Sequence, residues 1–377
     1  MRWLIAPDKF KDSLTAADAA RAMAEGIRLA CPEAELVLCP LADGGEGTAE
    51  ALLPRWNGSW AACGVHDPLM RPIQARYLRA ADGRRAFIET AAAAGLQLLA
   101  PQERNPMHTT TYGVGELIRH AVAGGAEEIF LGLGGSATHD GGAGMAAALG
   151  VQLLDAAGRP VPPSGARLAE IRRVLLPPDW PFGGRVQVRA ACDVRNPLCG
   201  PQGAAAVYAP QKGARPEDLP LLDGGLRQLA ACWAADLGRD TADLPGAGAA
   251  GGLGGGAAAF LGAGLVSGAE LVLDAAGFDT LLQGCSLVLT GEGRLDAQTG
   301  EGKLIAAVCA RAQHAGVPAV AVCGTLDLPV QAWQSLGLAY ACSMLPGPMP
   351  LRKARRNAYA LLREAAAGLA CWMGRPA

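Results

Sequence analysis

At 377 residues, half of them hydrophobic and only 18% charged, the chain is long enough for two domains and too apolar for a disordered one. Its net charge of −2 gives no electrostatic ground for a nucleic-acid surface. The 51 glycines are about twice the usual share of roughly 7%, and they gather in loops after apolar runs, where backbone can approach a ligand closely.

Trp3–Ala6 reads as a first strand, and the chain then turns through Asp8, Lys9, Lys11 and Ser13. Thr15 with Asp18 three residues on resembles a capping box and predicts a helix ending near Ala30. The turn therefore lies at the carboxyl end of a strand, where open α/β sheets bind ligands. Leu36–Leu41 is a second strand, followed by Asp43, Gly44, Gly45, Glu46 and a helix from Ala49. Asp43 there is a cap, a metal ligand or a group orienting a substrate hydroxyl.

From Cys63 the pattern shifts to short alternating runs. Gln74–Arg79 and Arg85–Glu89 flank Asp82-Gly83, a hairpin signal that opens a second, mixed domain. Thr109–Gly115 leads into a helix through Ile118.

The central stretch Glu127–Gly150 combines a strand, a glycine-rich turn and a helix from Gly141. Gly134 and Gly135 free the backbone to converge N–H groups on phosphate oxygens, and the following helix adds unsatisfied N–H groups and its dipole. Ser136 and Thr138 offer hydroxyls. Asp140 is either an ordinary N-cap or a Mg²⁺ ligand.

Val186–Cys192 is a strand that delivers Asp193 at its end, followed by Asn196 and, later, Lys212. A base, a positioning amide and a neutralising cation suit phosphoryl transfer. Pro245–Gly256 contains a formal G-x-G-x-x-G, but no strand precedes it, so the dinucleotide fingerprint fails its context; a glycine-rich loop into a buried helix is expected there. No Walker A pattern occurs. Cys285–Thr290 is a strand leading to Glu292, Arg294, Asp296 and then Lys303, and strands at Val317–Cys323 and Leu338–Met344 follow. Lys353–Trp372 closes the chain as one amphipathic helix, whose apolar face serves core packing or a homodimer contact equally. The eleven cysteines show no CxxC pairs or metal spacing, and the N-terminus lacks a signal-peptide pattern, so a cytoplasmic protein without membrane attachment is expected.

Seven stretches in order resemble the bacterial type I glycerate kinase family: APDKFKDSLTA at Ala6–Ala16, ADGGEGT at Ala42–Thr48, GGSATHDGGAGM at Gly134–Met145, ACDVRNPLCG at Ala191–Gly200, PQKGA at Pro210–Ala214, PGAGAAGG at Pro245–Gly252 and TGEGRLDAQT at Thr290–Thr299. The resemblance implies an α/β protein of two domains, a flavodoxin- or Rossmann-like parallel-sheet domain and an inserted mixed α/β domain, with the active site in the cleft between them. The boundaries expected are 1–65 plus 285–377 for the first and 66–284 for the insert. It further implies ATP- and Mg²⁺-dependent phosphorylation of D-glycerate to 2-phosphoglycerate. Production of 3-phosphoglycerate, action on another small hydroxy acid, and a non-catalytic metabolite sensor are the alternatives.

On this reading Asp193, Lys11 and Lys212 are the catalytic group. Gly134, Gly135, Ser136, Thr138 and Lys303 hold the nucleotide; Asp8, Ser13, Asp43, Asn196 and Arg294 hold the substrate; and Asp140 and Asp296 hold the metal. His139 stands where the family usually has Asn, and Leu304-Ile305 replaces a proline-containing continuation, so no role is carried onto His139.

Overall fold

The computed structural model describes residues 1–42, 44, 47–296 and 304–373. The chain forms two compact units, Met1–Arg55 with Gly268–Ala377, and Trp56–Ser267. The first segment contributes β1 (Arg2–Ile5) and β2 (Glu35–Leu38). The middle contributes β3 (Ser59–His66), β4 (Pro72–Arg79), β5 (Arg85–Glu89), β6 (Glu128–Gly132), β7 (Gln152–Leu154), β8 (Arg173–Leu175), β9 (Gln187–Ala191) and β10 (Gly264–Val266). The last segment contributes β11 (Leu287–Thr290), β12 (Arg294–Leu295), β13 (Ala319–Cys323), β14 (Thr325–Leu326) and β15 (Leu338–Ser343).

The discontinuous unit is built on a sheet of order β15-β13-β11-β1-β2, every neighbouring pair parallel. This is the flavodoxin-like winding, whose order reverses between β1 and β11 and opens a crevice at their carboxyl ends. Strands β11 and β13 are buried along their whole length, which their unbroken apolar runs anticipate for a sheet covered on both faces. Helix Ala16–Ala30 starts where the spacing predicts, Thr15 Oγ1 accepting from Asp18 N at 3.1 Å. Its Ala19, Met23 and Ile27 join Leu362, Ala366 and Leu369 in the core against Trp3 and Ile5. The two helices cross so closely that a Cβ on Gly26 would stand 2.1 Å from the Arg363 carbonyl oxygen. The single C-terminal helix expected from the sequence is two, Leu351–Arg356 and Ala358–Met373, because Asn357 turns out of helical geometry and caps the first.

The continuous unit carries a six-stranded sheet of order β10-β9-β6-β5-β4-β3. Strands β10, β9, β6 and β5 run parallel, and β4 and β3 are added antiparallel. The β4–β5 turn is the Asp82-Gly83 hairpin read from the sequence, with Asp82 Oδ1 accepting from Arg84 N at 2.9 Å. Trp233 of helix Leu219–Leu237 and Phe260 of helix Ala249–Leu261 sit fully buried in its core. That second helix is the expected buried one, but it is bent, with Ala250, Gly251 and Gly252 in left-handed conformation. Tertiary packing forces the bend: a Cβ on Gly251 would stand 2.0 Å from the Thr138 carbonyl oxygen.

The seams at 55/56 and 267/268 differ from those expected at 65/66 and 284/285. All of β3 pairs with β4, which carries residues 59–66 into the continuous unit. At the return, Arg55 Nε donates to the Ala276 carbonyl at 3.0 Å, which ties helix Gly268–Ala276 to the N-terminal segment.

Candidate active site

Strand β6 ends in the turn Gly134–Gly135, which is exposed, with Gly135 at φ +71°. The carbonyl of Gly135 accepts from Leu96 N at 2.9 Å, and Ala137 N donates to Ala94 O at 2.7 Å, so the turn is tied on one side to the segment after β5. The N–H groups of Gly134, Gly135 and Ser136 have no partner among the described residues. A Cβ on Gly134 would meet nothing within 4 Å, so there is open space in front of the turn. Successive unpaired N–H groups on an accessible turn form a cradle for an anion.

The helix that follows does not share in it. Asp140, fully buried, accepts at Oδ2 from Thr111 N (2.7 Å), Thr111 Oγ1 (2.9 Å), Thr110 Oγ1 (3.1 Å) and Gly144 N (3.1 Å), and at Oδ1 from Gly142 N (3.2 Å). Met145 N donates to Thr111 Oγ1 at 2.9 Å and Ala143 N to the Asp140 carbonyl at 2.9 Å. Every early N–H group of helix Ala143–Ala148 is thus satisfied from within. The helix end expected to face a phosphate is closed by the Asp140 side chain, two residues before the N-cap Gly142. Burial raises the Asp140 carboxyl above the ordinary range, and the surrounding donors offset part of that.

Lys212 is also buried, and its Nζ donates to Ser136 Oγ at 2.9 Å and to the Thr138 carbonyl at 2.8 Å. Burial pulls its ammonium down to about 7, the Asp140 carboxylate opposing. His139 is buried beside it; burial first, then the Lys212 charge, hold its imidazole neutral, down to about 3. Neither ring nitrogen finds a hydrogen-bond partner of proper geometry, nor does Thr138 Oγ1.

Strand β9 lies parallel beside β6, with Gly132 opposite Ala191, so Asp193 leaves the same sheet edge as the glycine turn. Asp193 is exposed; Asn196 is held in its loop, accepting from Tyr208 Oη at 2.6 Å and donating to the Gln202 carbonyl at 2.7 Å. The sequence brings Gly134, Gly135, Ser136, Thr138, Asp193 and Lys212 to one edge of this sheet. Thr110 and Thr111, not singled out from the sequence, complete the loop; the run Thr109–Thr111 before a helix was the available signal.

In the discontinuous unit a cavity of about 560 Å³ opens at the carboxyl ends of β1 and β11, at the point where the strand order reverses. Asp8, Lys11, Ser13, Arg294 and Asp296 line it. Ser13 Oγ donates to the Phe10 carbonyl at 2.9 Å, and Asp8 Oδ1 accepts from Lys9 N at 2.6 Å. Arg294 is paired with Asp327 at 2.6 Å and lies 3.6 Å from Asp296. Arg355, not singled out from the sequence, also lines the cavity, bound to Asp12 at 2.9 Å; the basic run Arg352–Arg356 was the signal available for it. Asp43 and Lys303 lie outside the described residues.

Among the described residues no three His, Cys, Asp or Glu side chains converge as a metal site. Mg²⁺ needs fewer, since it keeps waters and takes one or two carboxylates beside substrate phosphates. Asp296, half-buried on the cavity wall, fits that donor chemistry; Asp140, with both oxygens already accepting, does not.

The sequence profile of the Glycerate kinase family matches residues 3–374. Among curated relatives, a glycerate kinase from Halalkalibacterium halodurans is 44% identical over 97% of each chain. A glycerate 2-kinase from Escherichia coli is 41% identical over 95% of this chain and 94% of its own. A crystal structure provisionally named glycerate kinase 2, from Salmonella typhimurium, superposes with a TM-score of 0.88 at 41% identity, covering 99% of this chain and 98% of that one. A profile matched from end to end, with relatives at this identity, makes the chain a kinase of the alcohol-accepting class and a member of the glycerate kinase family.

Proposed function

We propose that this protein transfers the γ-phosphoryl group of MgATP to the 2-hydroxyl of D-glycerate. The observation that carries the reading furthest is the unpaired N–H turn Gly134–Ser136 beside Asp193 on the adjacent parallel strand, in a chain whose Escherichia coli relative is named glycerate 2-kinase.

Phosphoryl transfer asks the protein for alignment, charge neutralisation and exclusion of water. The turn cradles the donor's phosphates with its N–H groups. Asp193, exposed at the strand end, accepts the proton of the attacking hydroxyl. The cavity of the discontinuous unit offers Arg294 and Lys11 as cations, and the arginine fork suits a carboxylate. Mg²⁺, when bound, neutralises charge on the phosphates, and Asp296 is the side chain that would hold it. All eleven cysteines are free thiols, which suits work in a reducing cytosol.

The test is ADP release from MgATP with D-glycerate, with and without EDTA, the product being identified by ³¹P NMR. Mg²⁺-dependent turnover to 2-phosphoglycerate is expected. A 3-phosphoglycerate product would overturn the site of transfer, and tight MgATP binding without turnover would require another acceptor or a sensor. Asp193→Asn should lower kcat about 100-fold or more, within the range for loss of a general base, with the KM for glycerate little changed. A kcat within a few-fold of wild type removes Asp193 from the base role.

A further inference from the structure

Lys212 was expected to neutralise charge on the transferring phosphoryl, but it is 2% exposed and both of its bonds run to the glycine loop itself. Together with the two backbone bonds to Ala94 and Leu96, these bonds fix residues 135–138 from two sides. The N–H groups of Gly134, Gly135 and Ser136 stay unpaired among the described residues. Because the Lys212 nitrogen donates to Ser136 Oγ, it fills a lone pair there and leaves the hydroxyl hydrogen to donate elsewhere. To reach a phosphate in front of the turn, Lys212 would have to abandon both acceptors and leave them buried and unpaired, which is costly. Gly213, at φ +97°, completes the tight turn that delivers the lysine; a Cβ there would stand 2.0 Å from the Arg104 carbonyl oxygen.

We infer that Lys212 is a positioning residue: it pins the Gly134–Ser136 turn and orients the Ser136 hydroxyl as a donor toward the phosphates of the nucleotide, without itself touching the transferring group. This rests on the reading of the turn as the nucleotide's phosphate site. A turn set in advance binds phosphate without paying to order itself first.

The experiment compares wild type, Lys212→Met, Ser136→Ala and the double variant by MgATP titration calorimetry and by initial rates. Lys212→Met should weaken MgATP binding about tenfold and raise its KM in step, with the KM for glycerate within about twofold. Ser136→Ala should weaken MgATP binding about threefold, and the double variant should be no worse than Lys212→Met alone, since both cut the same link. A folded Lys212→Met with unchanged MgATP affinity overturns the inference, as does one that loses kcat alone, which would return the lysine to the transferring group. Where Lys212→Met fails to fold, Ser136→Ala decides: unchanged MgATP affinity in that smaller variant counts against the positioning role. Wild type that binds MgATP but does not turn over glycerate removes the proposed reaction and leaves the affinity comparison to judge Lys212. Wild type that binds no MgATP removes both.

Discussion

Asp140→Ala is expected to cost the unit Trp56–Ser267 about 3–5 kcal/mol, the range for breaking a buried charged network. The carboxylate closes three things at once: the N-terminus of helix Ala143–Ala148 through Gly142 and Gly144, the Thr110–Thr111 segment, and the end of the glycine loop. Removing it leaves these buried donors without their acceptor. Chemical denaturation followed by circular dichroism measures the loss. A variant as stable as wild type but needing more Mg²⁺ for turnover would instead restore Asp140 as a metal ligand.

The second large effect is a dependence of stability on pH that Lys212 imposes. The unfolded lysine holds its proton up to about 10.5, whereas the native one releases it near 7. Between those values the unfolded state binds more protons, so stability rises with pH. Below 7 both states are protonated and the cost of the buried charge is fully present. From pH 7 to 9 wild type should gain on the order of 2 kcal/mol relative to Lys212→Met. The comparison with the variant is needed because Cys39, Cys309 and Cys323, whose thiols burial pushes up to about 12, act in the opposite sense once unfolded thiols ionise near 9. Parallel wild-type and variant curves from pH 6 to 9 would mean that the lysine keeps an ordinary proton affinity in the fold.

The parts of the fold legible in the sequence were those with a local cause. Unbroken apolar runs gave β11 and β13, Thr15 with Asp18 gave the start of a helix, and Asp82-Gly83 gave a hairpin. What escaped depended on distant partners. The glycines of Pro245–Gly256 read as a loop leading into a buried helix, yet Gly251 answers to the Thr138 carbonyl and Gly248 to the Pro197 carbonyl, where an added Cβ would stand 2.3 Å away. The same holds for the candidate site. A lysine, a serine and an aspartate in three motifs could be named, but a sequence does not say which carboxylate is already saturated or which cation is walled in. Asp140 and Asp296 look alike on paper, and only burial and five donors separate them. Lys212 and Lys11 differ in the same way, one enclosed and one exposed.

The order β15-β13-β11-β1-β2 puts the first strand of the chain inside its sheet, between β11 and β2, where Ser286 beside β11 bonds to Arg2 across 284 residues. On the ribosome, β1 and β2 must wait, as a pair with an open edge, until the whole of Trp56–Ser267 has been made. The insert needs only its own residues and can close first, whereas the discontinuous sheet must join ends separated by a folded body and pay the entropy of that long loop before any packing repays it. Its exposed β1 edge in the meantime is a template for pairing with other nascent chains. The latest pairing in making this protein is therefore expected in the sheet that begins and ends the chain.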